Sequence, residues 1–328
     1  MKKINVFIAG HNGMVGSSIY RILNKDPKYN IITRTSKQLD LTDQKQTHDF
    51  FQNEKIDQVY LAAAKVGGIE ANNKFPADFI YQNLMIQNNI IHQSYIAGIK
   101  KLLFLGSSCI YPKFAKQPIK EEALMSGKLE LTNEPYAIAK ISGIKLCESY
   151  NRQFEEENID YRSIMPTNLF GPADNYDLRT SHVVPALIRK IHAAKIKNEK
   201  ILELWGTGKP LREFLYVDDL ARASIFVMNL DRTTIDLHTD KRLSHLNVGS
   251  GKDISIKDLS SLISEIIDYD GDIIFDSSKP DGTMKKLMDS SKINKLGWHQ
   301  TLSLEDGLKL AYKDYIENFD KYNKYECK

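Results

Sequence analysis

A short apolar run, Ile4 to Ala9, passes straight into Gly10-His11-Asn12-Gly13-Met14-Val15-Gly16, and a helical pattern follows at once. Three glycines spaced by three between a strand and a helix leave few folds open. Small residues there let the backbone approach a pyrophosphate, whose charge the helix amino end stabilises. The expected fold is therefore α/β: a doubly wound parallel sheet, Rossmann-like, built to hold a dinucleotide.

The rest of the chain keeps that rhythm. Strand patterns fall at Asn30 to Thr33, Gln58 to Ala64, Lys101 to Gly106 and Tyr161 to Met165. Helical patterns fall at Met14 to Asn24, Thr42 to Glu54, Pro76 to Ala97 and Glu134 to Phe154. After Gly171-Pro172 the alternation loosens. A basic helix over Val183 to Lys197, a strand near Leu202 to Trp205 and the turn Gly206 to Pro210 suggest a smaller C-terminal substrate domain. Asp218-Asp219 is expected to cap a helix through Met228. His245 to Gly249 reads as a strand that rejoins the main sheet. The division expected is 1–170 for the dinucleotide, with segments around 214–250 returning to it, and 171–328 mainly for the substrate. The polar tail after Asp320 is expected to fray.

Composition excludes other classes. A formal net charge of +3 is too small to argue for nucleic acid or an anionic membrane as partner. No apolar run approaches the roughly 18 residues of a spanning helix. Met1-Lys2-Lys3 is followed by too short an apolar stretch, leading to a glycine loop rather than a cleavage site. Cys109, Cys147 and Cys327 do not make a disulfide framework. A cytoplasmic protein without a metal is the expectation.

The end of the second strand normally carries an acid that holds a ribose 2′-hydroxyl in NAD-selective sites. Here Arg34, Thr35, Ser36 and Lys37 stand there, with no acid before Asp40. That basic corner suits a 2′-phosphate, so NADP(H) is preferred on charge grounds. Tyr136 and Lys140 are four apart and share a helix face. A nearby ammonium would favour the phenolate, placing proton exchange within reach. Ser107 ends the fourth strand, where open α/β sheets bind ligands. Cys147, in mid-helix, reads as a packing residue, and Lys195 and Lys197 as a solvated helix face.

On these residues the chain resembles the extended short-chain dehydrogenase/reductases that act on nucleotide sugars. Within them it is similar to the branch converting GDP-4-keto-6-deoxy-D-mannose to GDP-L-fucose by C3/C5 epimerisation and C4 reduction. The matching stretches run through Ala9 to His11, Ala62 to Gly68, Leu105 to Pro112, Asn133 to Lys140, Pro166 to Leu169, Ser181 to Val183, Trp205-Gly206, Arg212 to Phe214 and Lys279 to Thr283. The resemblance implies Ser107, Tyr136 and Lys140 for reduction, Cys109 with His182 for epimerisation, and Lys190, Trp205, Arg212, Asp281 and Lys286 around the GDP-sugar. It extends the dinucleotide site from Gly10, Gly13 and Gly16 to Met14, Val15, Arg34, Ser36, Asp40, Leu41, Ala63, Leu105, Gly106, Ser108, Pro166, Asn168 and Leu169, with Tyr136, Lys140 and His182. A homodimer packed through the long sheet-covering helices is also implied.

The chemistry is consistent with this. A C4 ketone acidifies the hydrogens at C3 and C5, so a base and an acid can invert either carbon through an enolate. Cysteine and histidine both titrate near neutral pH. Three positions depart from the family pattern. Asn12 and Ser36 replace arginines that often engage the 2′-phosphate, which opens the site to NAD(H). Lys190 replaces an arginine, keeping charge but losing the bidentate fork. The same machinery could serve a related GDP-4-keto sugar, a dideoxyhexose or deoxyheptose, or reduce only. The contrasting class is a non-catalytic dinucleotide-binding regulator.

Overall fold

The structure, a computed structural model, describes residues 2–279 and 281–323. Pro280 of the Lys279 to Thr283 stretch lies outside them, as do the last five residues of the tail, Cys327 among these.

The first half alternates strand and helix: β1 Ile4–Ala9, α1 Met14–Leu23, β2 Tyr29–Ile32, α2 Gln44–Asn53, β3 Gln58–Leu61, α3 Ile69–Lys74, α4 Pro76–Ile96, β4 Lys101–Leu105, α5 Glu134–Gln153 and β5 Asp160–Pro166. The second half holds β6 Asn168–Phe170, α6 Val183–Ile196, β7 Ile201–Trp205, β8 Leu211–Tyr216, α7 Val217–Asn229, α8 Arg232–Asp236, β9 Leu246–Val248, β10 Asp253–Ser255, α9 Ile256–Ile267, β11 Asp272–Asp276, β12 Lys285–Lys286, α10 Ser291–Lys295, α11 Leu304–Glu317 and α12 Phe319–Asn323.

Six strands form one parallel sheet in the order β2-β1-β3-β4-β5-β9. Strand order in sequence reverses between β1 and β3, and ligands of open α/β sheets bind outside the carboxyl ends at such a point. The sheet is buried on both faces because alternate residues serve opposite cores. Phe7, Val59, Leu102 and Phe104 pack with Phe51, Ile90, Ile144 and Cys147 from α2, α4 and α5. Val6, Ile8, Tyr60 and Leu103 pack with Ile19 and Leu23 of α1 and Leu220, Ala221 and Val227 of α7. Gly143 is required where α5 crosses the sheet, since a Cβ there would lie 2.4 Å from the Phe104 ring.

A second sheet has β8 flanked by antiparallel β10 and parallel β12, with β6 on its carboxyl half; β11 pairs with β7 separately. These strands, with α6, α9 and α11, surround a third core that includes Phe170, Leu187, Ile191, Phe214, Leu259 and Tyr315. The consecutive strands β5 and β6 run from one sheet to the other, and Thr167 between them donates its N–H to Val248 and its hydroxyl to the Glu213 carbonyl. That clamp keeps the two sheets in one relation.

Several expectations change. Asp218 and Asp219 sit in the first turn of α7, whose N-cap is Tyr216. They serve as tertiary anchors instead. Asp218 accepts from Ser18 and Arg21 of α1, and Asp219 accepts from Thr301 and Leu302 and pairs with Arg222. Lys195 keeps part of its solvated face but also donates to the Ile267 carbonyl at the end of α9 at 2.6 Å. The tail stays ordered through α12: Tyr322 is buried and donates to Asp314 at 2.7 Å. Its polar sequence hides this aromatic anchor.

Candidate active site

The glycine loop is shaped by close approach. Gly10 has φ +87°, and a Cβ there would meet the Ala63 nitrogen at 2.6 Å, where the chain leaving β3 crosses the loop. At Gly16 a Cβ would lie 2.2 Å from the Gly10 carbonyl oxygen. The amino end of α1 has Gly13 as its cap, no side-chain capping bond and no acid in its first turn. Its N–H groups and dipole thus face a cradle suited to a diphosphate. The residues fit a dinucleotide. Met14 and Val15 open the helix, while Leu105, Gly106 and Ser108 lie at the end of the neighbouring strand β4.

The corner past β2 is less basic than its sequence implies. Arg34 donates to the Thr33 carbonyl at 2.8 Å, forms an ion pair with Glu54 and lies 5.3 Å over the Phe50 ring. Ser36 is exposed at the loop surface, free of the β2 ladder. Asp40 accepts from Thr42, and the Leu41 carbonyl accepts from Asn89. The β5 side differs again: Pro166 closes that strand, and Asn168 donates to the Glu213 carbonyl at 2.8 Å while Leu169 pairs with β8.

At the carboxyl end of β4 the chain turns into a short 3-10 helix over Ser108–Ile110, whose cap Ser107 accepts from the Cys109 N–H at 3.4 Å. Tyr136 comes from the first turn of α5, edge-on to Phe79. Lys140, one turn further and buried, donates to the Leu105 carbonyl at 2.9 Å and lies 5.8 Å from the Tyr136 ring centre. Burial lowers its ammonium to about 8.

The phenol does not behave as the i,i+4 spacing implies. Burial raises Tyr136 well above its ordinary value, a Cys109 anion would raise it further, and only the Ser107 hydroxyl pulls the other way. With Lys140 turned onto a carbonyl, Tyr136 is a protonated acid at neutral pH. That is the form a ketone reduction needs.

Burial also raises the Cys109 thiol, opposed chiefly by Lys286, then by Ser107 and Lys140. His182 is the N-cap of α6, with no side-chain capping bond, and part of its surface is exposed to solvent. Burial lowers its imidazole and Lys286 lowers it further. One ammonium therefore faces both groups, favouring the thiolate and disfavouring the imidazolium. Lys286 reaches this place because β12 pairs with β8, setting it opposite Arg212.

The outer wall is cationic and aromatic. Trp205 is 71% exposed, with the ammonium groups of Lys190 and Lys279 at 5.8 and 5.7 Å from its ring centre. Asp281 accepts from the Thr207 N–H at 2.9 Å and its hydroxyl at 2.6 Å, and it stands near Arg212. Asp281 thus holds the loop that carries the wall. The sequence reading missed Lys279 as a partner of the tryptophan, which nothing in its local pattern marks. It also missed Glu213, fully buried beside Arg212, although an acid leading into the apolar run Phe214 to Tyr216 was a usable signal.

Comparison with known proteins follows the same lines. The model of the NAD dependent epimerase/dehydratase family matches residues 6–248. The chain is 55% identical to the GDP-L-fucose synthase of Escherichia coli (strain K12) over 322 residues, 98% of this chain and 99% of that one. It resembles the solved GDP-mannoheptose C4 reductase of Campylobacter jejuni with NADP bound, with a TM-score of 0.87 and 39% identity over 96% of this chain and 99% of that one. A GDP-L-fucose synthetase from Naegleria fowleri bound to NADP gives a TM-score of 0.86 at 28% identity, covering 98% and 96% of the two chains.

Proposed function

The chain belongs to the NAD dependent epimerase/dehydratase family, and on that premise we propose that it converts GDP-4-dehydro-6-deoxy-D-mannose to GDP-L-fucose. Two reactions share one site: epimerisation at C3 and C5, then reduction at C4. The observation that carries this reading is the similarity to the Escherichia coli synthase across both whole chains, joined to the clustering of Cys109, His182 and Lys286 beside Tyr136.

The glycine cradle and the amino end of α1 would hold the diphosphate of NADPH, which supplies the hydride for C4. Residues 1–170 serve chiefly that cofactor, and 171–328 chiefly the GDP-sugar. Trp205 offers a face to the base, and Lys190 and Arg212 offer charge to the diphosphate. Ser107 hydrogen-bonds the C4 oxygen, and Tyr136, protonated at rest, donates its proton there. The ammonium of Lys140 then stabilises the phenolate that is left until it takes a proton back from solvent. Before reduction the C4 ketone acidifies C3 and C5. Cys109, whose anion Lys286 favours, takes the proton from carbon, and His182, which must first gain a proton from solvent, returns one to the opposite face.

NADPH is the preferred cofactor in this reading, and NADH is tolerated. A homodimer is proposed through α4 and α5, which leave Tyr81, Ile96 and Ile138 exposed. A reducing, cytoplasmic compartment is proposed because three cysteines at these spacings make no disulfide framework.

Incubation with the 4-keto sugar in D₂O without cofactor tests the assignment. Deuterium at both C3 and C5 is expected; incorporation at neither position would sink the epimerase half. The second reading, a related GDP-4-keto heptose or dideoxyhexose, draws on the 39% identity to the heptose C4 reductase and on Lys190. It predicts exchange at one carbon only, or a larger kcat/KM for that sugar.

A further inference from the structure

We propose that Glu54 sets the cofactor preference of this enzyme by competing with a 2′-phosphate for Arg34. The inference rests on the dinucleotide reading above and concerns a residue that reading leaves unused. Arg34 is the sole guanidinium in the segment from Thr33 to Asp40, two residues past β2. That is where a dinucleotide fold places either an acid for the ribose hydroxyl or an arginine for the 2′-phosphate.

Its head group is already committed. One terminal nitrogen donates to the Thr33 carbonyl, the other is paired with Glu54, and the plane lies against Phe50. Phosphate is best held by two parallel N–H groups of a guanidinium fork. To present that fork Arg34 must give up Glu54, and the released carboxylate then stands beside the incoming dianion.

The location of Glu54 deepens the competition. It is the C-cap of α2, where its N–H bonds to the Phe50 carbonyl. Helix carboxyl ends carry partial negative charge, so a carboxylate there is disfavoured unless a cation offsets it. Arg34 is that cation. A 2′-phosphate therefore takes the arginine from a site that needs it, whereas a 2′-hydroxyl leaves the pair intact. Asn12, exposed in the glycine loop, brings no second charge to compensate.

Arg34 and Glu54 are each about one-third exposed, with side chains at 34% and 30%. Solvent screens such a pair, so the competition weakens phosphate binding without abolishing it. The test is calorimetric binding of adenosine 2′,5′-bisphosphate and adenosine 5′-monophosphate to the full chain. Glu54→Gln is expected to tighten the bisphosphate about fivefold while the monophosphate Kd moves less than about twofold. Arg34→Ala should bring the two Kd values together. The unchanged monophosphate Kd separates the effect from general damage to the pocket. If Glu54→Gln leaves the ratio of the two Kd values at its wild-type value, or shifts it toward the monophosphate, the proposal is overturned. If the wild type binds neither nucleotide, the dinucleotide reading fails and the proposal with it.

Discussion

Replacing Glu213 tests whether a buried acid outside the reacting groups holds the substrate wall in place. Glu213 is wholly buried in β8, next to Arg212. One carboxylate oxygen accepts the Gly251 N–H at 2.7 Å and the other the Met288 N–H at 3.0 Å. The carboxylate lies so close to Gly249 that a Cβ there would be 2.2 Å from it. Burial raises this carboxyl, and the two N–H donors pull it back. Glu213→Ala strips the interior Met288 N–H of its acceptor, at about 1–3 kcal/mol. It also frees the partly exposed Gly251 N–H and opens a void, for a total loss of about 2–5 kcal/mol. Glu213→Gln keeps one acceptor and turns an NH₂ toward the other donor, losing about 1–3 kcal/mol. Urea unfolding followed by circular dichroism measures both. Met288 lies two residues beyond Lys286, so the glutamine variant should also raise KM for the GDP-sugar more than the dinucleotide Kd. A Glu213→Ala stability within about 0.5 kcal/mol of wild type would refute the reasoning.

Further results are expected. Tyr136→Phe should abolish C4 reduction while deuterium exchange persists, whereas Cys109→Ser should suppress exchange and spare dinucleotide binding; mass spectrometry and absorbance at the nicotinamide band separate the two losses. Because burial holds the Cys109 thiol above its ordinary value, wild-type exchange should still rise with pH beyond the range where an exposed thiol levels off; a pH-independent rate would remove the thiolate from the mechanism. His245 is fully buried, its Nε2 3.0 Å from the Tyr111 hydroxyl, and burial lowers its imidazole from 6.5 to about 3. The folded state resists a proton that the unfolded chain accepts, so this stability is present above 6.5 and is lost as pH falls toward 3. The stability gap between wild type and His245→Gln should narrow over that window, and a constant gap would show that folding does not depress the His245 imidazole.

Much of the main sheet was legible because its signals are local. The strand of Ile4 to Ala9 and the helices over Pro76 to Ala97 and Glu134 to Phe154 end within a residue or so of the observed elements. The later half was less so. α9 and α11 went unread, as did β8, β10 and β12. β10 and β12, of three and two residues, carry too little periodicity, and the pairing of all three strands depends on partners far along the chain. Lys195 and Tyr322 show the same limit: each acts on a group that its own neighbours in sequence do not include.

The sequence by itself determined the sheet, the glycine cradle and the short list of groups able to move protons. Each of these follows from spacing within one strand, loop or helix, where backbone geometry translates directly into position. Only the tertiary structure decided the state of those groups. Burial holds Tyr136 further toward its neutral form, where the spacing to Lys140 alone would have pointed to the phenolate. Lys286 governs Cys109 and His182 because β12 is carried onto β8. Arg34 is held by Glu54, twenty residues on, so the basic corner is already half neutralised. Charge and hydrogen bonding act through space, and a residue's neighbours in space are set by how the chain packs.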